Sequence, residues 1–222
     1  MTDRALDDQV AGCAAAHRRL LAHLDALLGE GQLDSGVIAQ PSRLPGWTLG
    51  HVLTHLARNA DSHAYVIASA LRGEVVDQYP GGMAQRTDDI ESGASRPAAE
   101  QVDDVRHSIA SLEVAWGRCS EVRWEGQWRS PFAGERPLAE LPFRRWREVE
   151  VHHADLGLVG FDFEDWSPRY ISEELRLRTM EWSSRNPMGL TGLPPEALRL
   201  SPAQDRKSTR LNSSHGYISY AV

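Results

Sequence analysis

Apolar residues that return every three or four positions constrain this chain more than any other feature of it. Between residues 3 and 29, Val10, Cys13, Ala14, His17, Leu20, Leu21, Leu24 and Leu27 fall on one stripe of a predicted helix, which Gly29 and Gly31 stop. A loop over 32–46 contains Pro41 and Pro45. Thr48 then caps a second predicted helix that runs to about Leu71, with Leu49, Val52, Leu53, Leu56, Ala60, His63 and Ile67 along its stripe. Residues 72–96 read as a long polar connection rich in Gly, Asp and Ser, of a length that is usually functional or disordered. Ser95-Arg96-Pro97 opens a third helix to about Cys119. Residues 121–138, with Trp124, Trp128, Pro131, Phe132, Gly134 and Pro137, read as an irregular crossing with a short extended piece. A fourth helix spans about Ala139 to Leu158. After a loop over 161–166, Ser167-Pro168 starts a fifth, to about Ser184. Four long helices joined by long crossovers predict a mainly α protein built on a four-helix bundle.

The end of the chain has a different character. Its one lysine is Lys207, against 21 arginines in residues 1–204. Asp205 to His215 reads as the frame translation of a common sequencing adapter. Gly216-Tyr217 has the width of a six-base index, and Ile218 to Val222 matches the adapter's continuation. Residues 205–222 are therefore set aside as a non-native tail, and the natural reading frame is expected to stop near Gln204. The expected division is a bundle over 1–185, the start of a truncated C-terminal domain over 186–204, and the tail. Without the tail's three basic residues and one acidic residue, 21 basic and 30 acidic residues remain, a net of −9. This balance argues against a nucleic-acid partner. Cys13 and Cys119 are read as reduced thiols. The acidic N-terminus and the absence of a long apolar run argue against secretion and membrane insertion, so a cytoplasmic location is expected.

Two helical segments carry the candidate chemistry: Trp47 to Ala57 in the second helix and Arg147 to Asp155 in the fourth. Glu148 and His152 lie roughly 40° apart on a helix, one turn above the other, on the side of Leu141, Val151, Leu156 and Val159. A glutamate on an apolar side is costly unless it is paired or bound to a metal. Glu150 points almost the opposite way and is expected to be solvated, and His153 leaves the face near Trp146. On the second helix His55 lies closer to the apolar stripe than His51 and is preferred as a ligand, His51 being a surface or supporting residue. His63 reads as a packed core histidine; His17, His23 and His107 stand singly. Two imidazoles and a carboxylate make a three-ligand divalent-metal site with one position open, the arrangement of catalytic zinc. The alternative stays open that Glu148 pairs with Arg144 or Arg145 and that His152 is a satisfied core histidine.

The segment Leu44 to Asp61, with Leu44-Pro45-Gly46-Trp47-Thr48-Leu49-Gly50-His51 at its start, resembles the second-helix motif of mycothiol-dependent maleylpyruvate isomerases. These are members of the DinB-like metal-binding bundle superfamily. Arg147 to Gly157 resembles their later motif, and the likeness extends over about residues 5–185. The resemblance implies a zinc ion held by His55, Glu148 and His152, with mycothiol as a thiol cofactor at the open position. It also implies a smaller α/β domain after the bundle that supplies an arginine near its end. That domain is expected to be cut here at about Gln204, with Arg206 and Arg210 of the tail not standing in for it.

By that resemblance the thiolate adds to the cis double bond of maleylpyruvate, the resulting single bond rotates, and elimination leaves fumarylpyruvate. Asp155 is a candidate to orient a ligand imidazole or else to pair with an arginine. Arg58 and Arg144 are candidates for substrate carboxylates, with solvated surface arginine as the alternative for each. Trp47 is either at the pocket mouth or a packing staple. Other readings of the same ligand set are a thiol transferase, a zinc hydrolase and a non-catalytic metal-binding module. The expected partners are a small-molecule substrate and a low-molecular-weight thiol, with no nucleic acid and no membrane.

Overall fold

Seven helices and one two-stranded hairpin make up the computed structural model, which describes residues 3–121 and 124–185. The helices are α1 (Asp3–Gly29), α2 (Ser35–Ile38), α3 (Leu49–Ala70), α4 (Gly82–Gly93), α5 (Ala98–Glu121), α6 (Leu141–Asp155) and α7 (Pro168–Arg185). Strands β1 (Gln127–Ser130) and β2 (Gly134–Pro137) pair antiparallel, with Trp128 opposite Arg136. The chain divides at Gly157 into two units. In the second, Asp162 caps a 3-10 turn over Phe163–Asp165, and the Trp166 ring meets Tyr170 edge-on. The segments 186–204 and 205–222 lie outside the described residues.

The first unit is a four-helix bundle. Helix α3 packs on α5 and α6, and α1 packs on α6 and α5. Leu20, Leu24, Val52, Leu53, Leu56, Val102, Val105, Leu112, Val149 and Val151 fill its core. Thr48 caps α3 as its sequence implies, accepting from the His51 amide, while His51 Nδ1 accepts from the Thr48 amide at 3.1 Å. This is a reciprocal capping box with histidine in the place usual for glutamate. None of the described helices is long and apolar enough to cross a membrane. Cys13 and Cys119 are free thiols, both buried.

Three expectations are corrected. The polar stretch 72–96 contains α4, whose buried residues are Arg86, Ile90 and Gly93. With one large hydrocarbon among them, they leave no apolar stripe to read. The fourth bundle helix ends at Asp155 rather than near Leu158, so Val159 is not on it. Glu150 is buried, not solvated, because α6 is enclosed on nearly every side. Arg19 of α1 grips both carboxylate oxygens of Glu150 at 2.7 Å, and the Trp146 indole donates to it at 3.0 Å.

A second polar group bridges the helices. Arg145 is fully buried and donates to His17 Nε2 at 3.1 Å, to the Leu56 carbonyl at 2.8 Å and to Asn59 Oδ1 at 2.9 Å. Since Arg145 only donates, His17 Nε2 must accept, which puts the ring proton on Nδ1, 2.9 Å from Glu113. His17, one of the singly standing histidines, is thus a crossbrace among α1, α5 and α6. It also stacks on Trp116.

Glycine permits two close approaches. A Cβ on Gly12 would overlap the Trp146 ring, and one on Gly50 would overlap the Ala94 carbonyl, so the Trp146 ring of α6 lies on the backbone of α1 and the end of α4 lies at backbone contact with α3.

Two outcomes follow. Gly50→Ala is expected to destabilise the protein by about 1–3 kcal/mol through overpacking, read as a lower midpoint in urea. Burial lowers the His17 pKa to about 4, against the hydrogen bond that His17 donates to Glu113. The unfolded chain then binds the extra proton first, so stability is full above about pH 6.5 and falls as pH drops toward 4, by on the order of 3 kcal/mol from His17. His63, lowered to about 3 by burial, adds the same sign. Melting temperatures of wild type and His17→Gln across this range check it, the variant showing the shallower decline.

Candidate metal centre

Helices α3 and α6 bring together three side chains that are 93 and 4 positions apart in sequence. Glu148 Oε2 lies 2.9 Å from His55 Nε2 and 3.2 Å from His152 Nε2. The imidazoles meet edge-on, their centroids 4.8 Å apart. One nitrogen or oxygen of each residue lies within 4.8 Å of the others, and the three are 3%, 7% and 3% exposed for His55, Glu148 and His152. Zinc ligands at about 2.0–2.1 Å in a tetrahedron stand about 3.3 Å from one another. The nitrogen-to-oxygen separations approach that spacing, so the donor set suits a small divalent cation in both chemistry and placement.

Charge is balanced within the cluster. Burial works against the Glu148 carboxylate, but hydrogen bonds from His152 and His55 outweigh it and hold its pKa well below the usual range. Burial lowers His55 to about 4, against the pull of Glu148. Burial would lower His152 as well, yet hydrogen bonds to Asp155 and Glu148 raise it to about 9. Asp155 Oδ2 lies 3.1 Å from His152 Nδ1. A cation taking both histidines must displace protons, as metal sites of this type do.

The surroundings sort the remaining candidates. Asp155 Oδ2 lies against the His152 imidazole, where it can orient the ring. Neither Arg144 nor Arg145 forms an ion pair with Glu148: Arg145 serves His17, Leu56 and Asn59, and Arg144 pairs with Glu140 and lies over the Trp128 ring at 5.5 Å. Arg58 pairs with Asp61 and, at 2.6 Å, with Asp104, which Arg96 also holds. Arg58 and Arg144 thus do not reach the triad. His51 caps α3 and bonds Glu91 at 3.2 Å. His63 is buried beside Trp128, as expected of a core residue. The Trp47 ring stacks on His51 and turns its edge to His55 at 5.6 Å, so it packs against α3. His23 and His153 bond to each other at 2.8 Å on the far side of α6.

Periodicity does not disclose Arg86. It projects from α4, is 8% exposed, and its guanidinium lies 3.1 Å from His55 Nδ1 and over the Tyr79 ring at 5.8 Å. A buried arginine in a polar segment is visible only once α4 is known to be a helix.

Comparison with known proteins bears on the same region. The family model of the mycothiol maleylpyruvate isomerase N-terminal domain matches residues 13–157, which include the whole triad. The crystal structure of a mycothiol-dependent maleylpyruvate isomerase superposes with a TM-score of 0.71 at 25% identity, over 84% of this chain and 75% of that one. That of a histidine-to-alanine variant superposes with a TM-score of 0.70 at 24% identity and the same coverage. No curated protein matches significantly. With a bundle of this topology and a family match over most of its length, the chain belongs to the mycothiol maleylpyruvate isomerase N-terminal domain family.

Proposed function

We propose that this chain is a metal- and mycothiol-dependent cis–trans isomerase acting on maleylpyruvate or a closely related unsaturated acid. The observation that carries the reading is the convergence of His55, Glu148 and His152 in one buried cluster. Three donors leave a position on the cation for a fourth group, as catalytic zinc sites do. A cation held by these residues would make a bound thiol available as its thiolate near neutral pH, the nucleophile that reversible cis–trans isomerisation of an activated double bond requires.

The chain's own residues set the stage for this. Glu148 supplies the negative charge that holds a divalent cation, and the two imidazoles complete its grip. Asp155 accepts from His152 Nδ1, which turns Nε2 toward the centre and fixes the ligating tautomer. Buried carbon around the triad excludes water and strengthens each charge interaction. The chain's own thiols do not serve as nucleophile: burial raises Cys119 to about 11 and Cys13 well above its ordinary value, so both stay protonated. An external thiol fits a site that holds none of its own.

The purified full chain is expected to bind about one zinc. His55→Ala, Glu148→Ala and His152→Ala should each lose it by elemental analysis, and Asp155→Asn should weaken it by roughly 10- to 100-fold. Equal zinc in all variants would remove the site. With maleylpyruvate as substrate, loss of the cis isomer should require both zinc and mycothiol; turnover that ignores the thiol would favour a zinc-dependent hydrolase instead.

A further inference from the structure

We propose that Arg86 recognises a substrate carboxylate at this centre, and that it assumes this role when a cation displaces it from His55. The inference rests on the metal-site reading above.

The argument begins with donors and acceptors. A guanidinium donates five N–H bonds and accepts none. Its 3.1 Å contact therefore makes His55 Nδ1 the acceptor. The ring proton is then on Nε2, where it donates to Glu148 at 2.9 Å. A cation held through Nε2 needs that lone pair, and the proton must pass to Nδ1. There it would face an Arg86 N–H, two donors at hydrogen-bonding distance. A cation held through Nδ1 would take the place of Arg86 directly. Whichever nitrogen ligates, the Arg86–His55 bond and a metal-bound His55 exclude each other. Repulsion between the cation and the guanidinium acts in the same sense.

Displacement does not carry Arg86 far. It remains on α4, which Gly50 and Ala94 hold at backbone contact with α3. The Tyr79 ring lies beneath it at 5.8 Å. What results is a second positive centre beside the cation in a poorly hydrated place. A planar carboxylate satisfies it, because the guanidinium fork matches two carboxylate oxygens at once. The substrate class is thus an acid whose carboxylate lies close to the carbon that receives sulfur. Arg58, Arg144 and Arg145 are committed to Asp104, to Glu140, and to His17 with Asn59.

The test uses the full chain, maleate as the probe, and no thiol, so isomerase activity does not enter it. Calorimetry on the zinc-loaded protein should show maleate binding that falls about ten-fold or more in Arg86→Gln and recovers in part in Arg86→Lys, which restores charge without the fork. Stripped wild type should bind maleate more weakly than loaded wild type. In chelator competition, stripped Arg86→Gln should take zinc several-fold more tightly than wild type, since a competing bond and a like charge are gone. Maleate affinity unchanged by Arg86→Gln, or zinc affinity unchanged or reduced in both variants, overturns the proposal. The metal assay on the triad variants does not involve Arg86, so failure of that site and failure of this role are read separately.

Discussion

A carboxylate enclosed between two imidazoles is the interaction on which the bundle's chemistry depends. An isolated ionised glutamate would be intolerable at the depth of Glu148. His55 and His152 make it tolerable, and in doing so draw α3 and α6 to one point. Asp155 and Arg86 act at one remove, each against the outer nitrogen of one imidazole. An acidic side chain stands behind one ring and a basic one behind the other. Burial lowers His55, whereas against burial Asp155 and Glu148 raise His152.

The same helix solves a wider problem. Helix α6 is polar in composition yet enclosed on nearly all sides. Each buried charge on it meets a specific partner from another helix or the same one: Arg145 with His17 and Asn59, Glu150 with Arg19, His153 with His23. Hydrocarbon packing alone would tolerate small rotations of the helix. These bonds do not, because turning α6 by one residue would strand every one of them. The polar groups therefore hold the register in which Glu148 and His152 face α3.

Which features are legible in sequence follows from where the partners sit. Helices α1 and α3 can be read because their apolar residues repeat and Thr48 announces a start. His55, Glu148 and His152 can be picked out by angular position on their own helices, and the resemblance of the two motifs points to the same residues. The burial of Glu150 has the opposite origin. Its angle on α6 is the one that its spacing implies, but periodicity assumes a helix with one wet side, and α6 has almost none. His17 and Arg86 are not legible because their meaning lies in residues 128 and 31 positions away. Helix α4 is not legible because its inward seam is an arginine, an isoleucine and a glycine, a pattern without hydrophobic contrast.

That thin seam has a kinetic side. Elements with little buried hydrocarbon detach at lower free energy than the core they cover. Helix α4 is held to α3 by backbone proximity at Gly50 and by few apolar side chains. Its amide protons should exchange with solvent sooner than those of α3 or α6. An opening of α4 would withdraw Arg86 from His55 Nδ1 while the four-helix frame stays shut.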